Sequence, residues 1–196
     1  AINLLGKELD SAGGRAGEVR AAGLAHVPED RHKFAMVESF SATEVSVLGY
    51  QDRQPFGSGN WMTWGQARAE TERLQEQFDV RPRNPDLKSD SFSGGNQQKL
   101  ILSRELSKEA DVLLVGQPTR GVDVGAIEFI HERLLEQRSA GKAILLVSVE
   151  LEEIMKLSDR ILVMFEGNIM GIIDAKDASE QKIGLLMAGT KMEEAA

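Results

Sequence analysis

Apolar and polar positions change period along the chain. Trp64, Ala67, Thr71, Leu74 and Phe78 recur at three- and four-residue steps, with Arg68, Glu70, Glu72, Arg73 and Glu76 between them. That pattern predicts an amphipathic helix that must lay its apolar side on a partner surface. Pro82, Pro85 and the polar run Asn84–Ser91 close it and lead into a loop. Asn96 to Lys108 then reads as a second helix with Ile101, Leu102 and Leu106 inward. Beyond it come a strand over Val112–Val115, a helix over Gly125–Gln137, a strand over Ala143–Ser148, a helix over Leu151–Lys156 and a strand over Arg160–Phe165. Such alternation predicts an α/β fold, a mostly parallel sheet with crossover helices. Glu166-Gly167-Asn168 reads as a hairpin turn into Ile169–Ile173, and a last helix carrying Ile183, Leu185, Leu186 and Met187 precedes a polar tail.

The N-terminal stretch is less regular. Ile2–Leu5 is extended, Ser11–Gly17 is a polar loop, Glu18–Ala22 a helical turn, and a further extended piece ends at Val27-Pro28, together a small peripheral β part. From Arg31 to Trp64 the pattern is mixed, and Gly57-Ser58-Gly59-Asn60 reads as a flexible loop. No repeat or low-complexity segment interrupts the chain.

Composition narrows the function classes. The 196 residues are 41% hydrophobic, enough for a core, and 23 basic against 31 acidic side chains leave a charge of −8. A surface so acidic argues against a general binder of phosphate backbones, so nucleic acid is not an expected partner. Absence of cysteine excludes disulfides, thiolate metal sites and cysteine nucleophiles, and fits a reducing compartment. His26, His32 and His131 are too scattered for a metal cluster, and no metal site is expected. The longest apolar runs, Val112–Val115 and Ala143–Val147, fall far short of the ~20 residues a membrane helix needs. The start, Ala1-Ile2-Asn3-Leu4-Leu5, lacks the pattern of a secretory signal and reads as the interior of a larger protein.

Ser93-Gly94-Gly95-Asn96 sits where a loop enters a helix, so unpaired N–H groups and the positive end of the helix dipole point outward together. Glycine at 94 and 95 would let a phosphate approach the backbone, and Ser93 supplies a hydroxyl donor. A serine N-cap with turn glycines is the simpler alternative. Downstream context changes the balance. Ser93–Lys99, then the apolar strand, then Pro118-Thr119-Arg120-Gly121-Val122-Asp123 closely resemble the ATPase subunits of ABC transporters. With Val27-Pro28-Glu29-Asp30-Arg31, the pattern is most similar to the second, C-terminal ATPase half of tandem subunits serving simple-sugar and nucleoside importers.

That resemblance covers nearly the whole chain and implies a partial ABC-type nucleotide-binding domain over residues 1–196. Its helical lobe would lie near 40–107 and its catalytic-type α/β lobe over about 1–39 and 108–196. Phe92–Asn96 would be the signature loop, which in the family reaches across a dimer to the γ-phosphate of ATP on the opposite subunit; Ser93, Gly94, Gly95 and Asn96 would be the binding residues. Val112–Val115 would be the Walker B strand, Asp123 the D-loop aspartate, and Ala25–Glu29 the Q-loop strand. Implied cofactors are ATP and Mg²⁺ in the full assembly, none held tightly by this chain. Implied partners are an N-terminal ATPase half of the same polypeptide and transmembrane permease subunits, at the cytoplasmic face of the membrane.

Departures from the family pattern concern the chain's own catalytic positions. Where Walker B ends in an aspartate and a glutamate, this chain has Gly116 and Gln117. A glutamine amide orients water without accepting its proton, and glycine offers Mg²⁺ no ligand. The switch histidine's position falls on Val149 and the Q-loop glutamine's on Glu29. No G-x-x-x-x-G-K-[ST] occurs, and by the resemblance the chain is expected to begin after that loop. The expectation is a degenerate half that completes its partner's ATP site and is inactive alone. A soluble ABC-type ATPase acting on DNA or ribosomes and a decayed interaction module are the alternatives. Of the remaining residues, His131 reads as a boundary residue, Trp61 and Trp64 as helix anchors, and Glu150, Glu152, Glu153 and Asp159 as a solvated stretch. Asp30 and Arg31 are open between a local ion pair and a contact with the membrane partner.

Overall fold

The computed structural model describes residues 2–9, 16–54, 56–58 and 61–190. The chain divides into two compact units, residues 1–147 and 148–196.

In the first unit, a hairpin of β1 (Ile2–Leu4) and β2 (Lys7–Leu9) precedes a short helix α1 (Ala16–Ala21). The main sheet follows: β3 (Leu24–Val27), β6 (Val112–Gly116) and β7 (Ala143–Val147), parallel and in that order. Its register sets Val27 beside Val115, and Gly116 beside Val147. Ala25, Val27, Leu113 and Val115 are buried on one face, while Leu145 and Val147 of β7 stay exposed. Alternation along each strand therefore separates a covered face from an open one.

Between β3 and β6 the chain makes a helical excursion through α2 (Arg31–Phe34), α3 (Ala42–Val47), α4 (Trp64–Gln77) and α5 (Gly94–Leu106). Ser41 starts α3 with a capping box, its side chain and that of Glu44 each satisfying the other's backbone N–H. The α4 helix buries Ala67, Thr71 and Leu74 as its period requires. Trp61 and Trp64, expected as helix anchors, are instead 83% and 53% exposed. Gly57-Ser58, expected within a flexible loop, forms a short strand β4 paired with β5 (Trp61–Met62); Gly59 and Asn60 lie outside the described residues.

An ion pair at the centre of the unit joins these pieces. Arg104 and Glu105 on α5 are almost completely buried, with Arg104 Nε 2.7 Å from Glu105 Oε1. Arg104 Nη1 donates to the carbonyls of Ala35 and Val45, and Glu105 Oε2 accepts from the Tyr50 hydroxyl at 2.7 Å and from the His26 amide at 3.4 Å. Two buried charges are tolerable because they pair with each other and are further bonded to the Ala35 and Val45 carbonyls, the His26 amide and the Tyr50 hydroxyl.

From β6 the chain passes through α6 (Val124–Ser139) to β7, a parallel crossover unit. Expected at a boundary, His131 is buried on α6, because it lies on the face that also buries Ala126, Ile130 and Leu134. The second unit carries α7 (Leu151–Leu157), the antiparallel pair β8 (Arg160–Phe165) and β9 (Asn168–Asp174), and α8 (Glu180–Met187). Ile161, Val163, Ile173, Ile183 and Leu186 form its core. Leu185 and Met187 face solvent on the other side of α8, and Glu153, expected in a solvated stretch, is buried.

Candidate functional site

Ser93 caps α5, which begins at Gly94, two residues before the periodicity of its apolar positions becomes readable. Ser93 is exposed and Gly94 and Asn96 are half-buried, while Phe92 and Gly95 are buried beneath them. Its Oγ accepts from the Asn96 side-chain Nδ2 at 2.9 Å and from the Asn96 backbone N–H at 3.4 Å. Asn96 is itself oriented, because the Arg81 backbone N–H donates to its Oδ1 at 2.7 Å. A backbone N–H can only donate, so the amide must turn its nitrogen toward Ser93. With its acceptor side supplied by Asn96, the Ser93 hydroxyl still has its proton to donate.

The two glycines make room for the chain's own atoms. A β-carbon at Gly94 would stand 2.8 Å from Arg31 Nη2 and 2.8 Å from the Gly121 carbonyl oxygen. At Gly95 it would stand 2.7 Å from Asp123 Oδ2 and 3.0 Å from Ala126 Cβ. So the close approach that glycine permits here is that of the 117–123 turn and of Arg31, in addition to leaving the backbone open at Ser93. Asp123 caps α6, accepting from the Ala126 N–H at 2.9 Å with its other oxygen turned to Gly95. Gly121, at φ +67, gives the turn its bend.

Arg31 bridges the two. Its Nε donates to Gln97 Oε1 at 3.1 Å and its Nη1 to the Arg120 carbonyl at 3.0 Å. Gln97, buried on α5, donates from Nε2 to the Ser89 carbonyl at 3.0 Å, and the Ser89 hydroxyl lies 2.9 Å from the Val37 carbonyl and 3.1 Å from that of Glu38. Burial lowers the Arg31 pKa, with Asp30 opposing and Arg120 reinforcing the shift. Asp30, one alternative partner for Arg31, uses Oδ1 to cap α2 by accepting from the Lys33 N–H at 3.0 Å. Neither Arg31 nor Gln97 was singled out for this role by sequence, since their pairing spans 66 positions and carries no local signature.

Gly116 ends β6 directly beside Glu29, the nearest atom to a β-carbon at 116 being the Glu29 amide nitrogen at 3.2 Å. Gln117 follows at φ +46, a left-handed conformation unusual outside glycine, held by its N–H to the Val147 carbonyl at 2.8 Å and its carbonyl from the Arg120 N–H at 3.1 Å. Glu29 is exposed. Val149, in the second unit, is 70% exposed two residues before α7. No side chain at 116, 117 or 149 can accept a proton or bear a negative charge. Among the described residues no group of three or more His, Cys, Asp or Glu is placed to hold a metal ion.

The three-stranded parallel sheet with a helical excursion between its first two strands gives the chain the fold of an ATP-binding cassette. The fold is shared with a dimeric ATP-binding cassette solved in a post-hydrolysis state with ADP and Pi, at a TM-score of 0.66 over 81% of this chain and 65% of that one, with 20% identity. By sequence the chain is similar to sugar and nucleoside import ATP-binding proteins, matching one part of each. It is 43% identical over 194 residues to the guanosine import ATP-binding protein NupO of Bacillus subtilis, covering 99% of this chain and 38% of that protein. It is 40% identical over 180 residues to the nucleoside import ATP-binding protein NupA of Lactococcus lactis, covering 92% of this chain and 36% of the relative. A ribose import ATP-binding protein, RbsA of Shouchella clausii, is 39% identical over 82% of the chain and 32% of its own length. The chain thus spans under two fifths of the length of these relatives. No protein-family profile matches it.

Proposed function

We propose that the chain is the signature-bearing part of a degenerate nucleotide-binding half, the second of a tandem importer ATPase subunit, and that it completes the ATP site of the partner half. The observation that carries this reading is the Ser93 hydroxyl, exposed at the start of a 13-residue helix with Asn96 occupying its acceptor side. Helix dipole, free N–H groups and a hydroxyl donor then converge on one point outside the chain, where they stabilise negative charge on a phosphate. ATP with Mg²⁺ supplies the hydrolysable phosphoanhydride when bound in the assembly.

The chain's own catalytic positions do not fit Mg²⁺ or a general base. Gly116 and Gln117 offer no carboxylate, and position 149 is an aliphatic side chain. This half therefore contributes closure more than hydrolysis. Partners are the N-terminal ATPase half of the same polypeptide and the transmembrane permease subunits, reached through the helical lobe near residues 40–107. The assembly works at the cytoplasmic face of the membrane; within this chain, among the described residues, no helix is long and apolar enough to cross it. Relatives named for guanosine, nucleoside, glucose and ribose import support a simple sugar or a nucleoside as the transported substrate.

The test is made in the longer subunit assembled with its permease. Ser93→Arg is expected to abolish transport-coupled ATP hydrolysis, whereas Gln117→Ala leaves it near the starting rate. Equal loss from both substitutions removes the asymmetry, and with it the proposal. Calorimetry of this 196-residue chain with ATP is expected to give no binding heat.

A further inference from the structure

Arg31 spans two pieces that, among the described residues, no backbone hydrogen bond joins. The 117–123 turn bonds within itself and to Val147, and among the described residues its one hydrogen-bonded tie toward α5 runs through the Arg31 guanidinium. That group is a rigid planar fork, so bonds to Gln97 Oε1 and to the Arg120 carbonyl fix the relative place of both acceptors at once. Gln97 lies one helical turn after Ser93, and Arg120 lies three residues before Asp123. Gln97 cannot swing away, because its other amide end is bonded to the Ser89 carbonyl. Gly94 lacks the β-carbon that would exclude Arg31 Nη2 from this position. The two hydrogen-bond acceptors of Arg31 are amide oxygens, so these ties are directional, with the Asp30 carboxylate adding a Coulombic contribution.

We propose that Arg31 is a positioning residue, tying the Asp123-bearing turn to the Ser93-bearing helix so that both present themselves to the partner half as one rigid edge. This rests on the reading that Ser93 serves a nucleotide held by that partner. Arg31 touches neither nucleotide nor reacting atoms; it acts through Gln97 and the Arg120 carbonyl. Loss of the fork lets turn and helix shift independently, and misplacements of about 1 Å lower turnover by as much as ~10²-fold.

Two measurements test it. In the 196-residue chain, Arg31→Ala is expected to speed amide hydrogen exchange over residues 119–126 and 93–97 together, while Arg31→Lys, able to keep one acceptor of the two, restores protection in one segment only. Unchanged exchange at 119–126 in the alanine variant overturns the tie. In the assembled importer, Arg31→Ala is expected to lower kcat for ATP hydrolysis about ten-fold or more with KM for ATP within about two-fold, and Arg31→Lys to fall between. A wild-type kcat in Arg31→Ala, where Ser93→Arg is inactive, overturns the positioning role and leaves the functional reading standing. A drop in kcat that merely follows loss of folded protein, with no help from lysine, assigns Arg31 a purely structural role and also overturns it. If Ser93→Arg itself hydrolyses ATP normally, the functional reading falls, and the exchange experiment still decides whether the tie exists.

Discussion

Gly116 and Glu29 stand so close that a β-carbon on the first would lie 3.2 Å from the backbone nitrogen of the second. Two strand ends paired in register bring them together, Val27 beside Val115. An aspartate at 116 must therefore push against main chain as well as the Glu29 β-carbon. Gly116→Ala is expected to cost about 1 kcal/mol and Gly116→Asp up to ~3 kcal/mol in urea unfolding. Equal stability of Gly116→Asp and the parent would show that the strand end yields freely.

The buried Arg104–Glu105 pair is a costly place to remove one charge. Arg104→Met leaves Glu105 in a site of zero exposure with only the Tyr50 hydroxyl and the His26 amide, and is expected to destabilise by about 3–5 kcal/mol. Pairing it with Glu105→Leu is expected to recover part of that loss, since no unpaired charge then remains. A double-mutant cycle by chemical denaturation measures the coupling.

Asp79 sits at φ +48 after α4, and its carboxylate meets Arg81 at 2.8 Å, Arg83 at 3.7 Å and Lys99 at 3.8 Å. The Arg81 hydrogen bond, with Coulombic help from Arg81, Lys99 and Arg83, outweighs desolvation and holds its pKa below the ordinary 3.8. A depressed folded-state value stabilises fully above the unfolded pKa and loses that contribution as pH falls through the folded one. The stability gap between the parent and Asp79→Asn is therefore expected to be constant near neutrality and to close below about pH 4. Solvent exposure keeps the gap small, and added salt narrows it further.

Much of the α/β order is legible without coordinates. The three-four spacing from Trp64 to Phe78 marks α4, and the apolar runs at 112–115 and 143–147 mark two sheet strands, because period follows from backbone geometry. The Ser-Gly-Gly run likewise marks a helix start. The segments α2 and α3 carry no such period, being four and six residues long; Asp30 caps α2, and α3 has the Ser41 capping box together with burial of Ala42, Val45 and Val47.

By itself the sequence determined which chemistry the chain lacks and which it keeps: no ionisable group at 116, 117 or 149, and a hydroxyl with glycines at 93–95. Those are properties of covalent side chains, independent of folding. Tertiary structure alone decided what these groups face. Glycine at 94 and 95 admits Arg31, the Gly121 carbonyl and Asp123, and Asn96 turns Ser93 into a donor only because the Arg81 amide holds its oxygen. Contacts between residues 15 to 89 positions apart depend on where sheet and helices bring the backbone, and no local spacing encodes them.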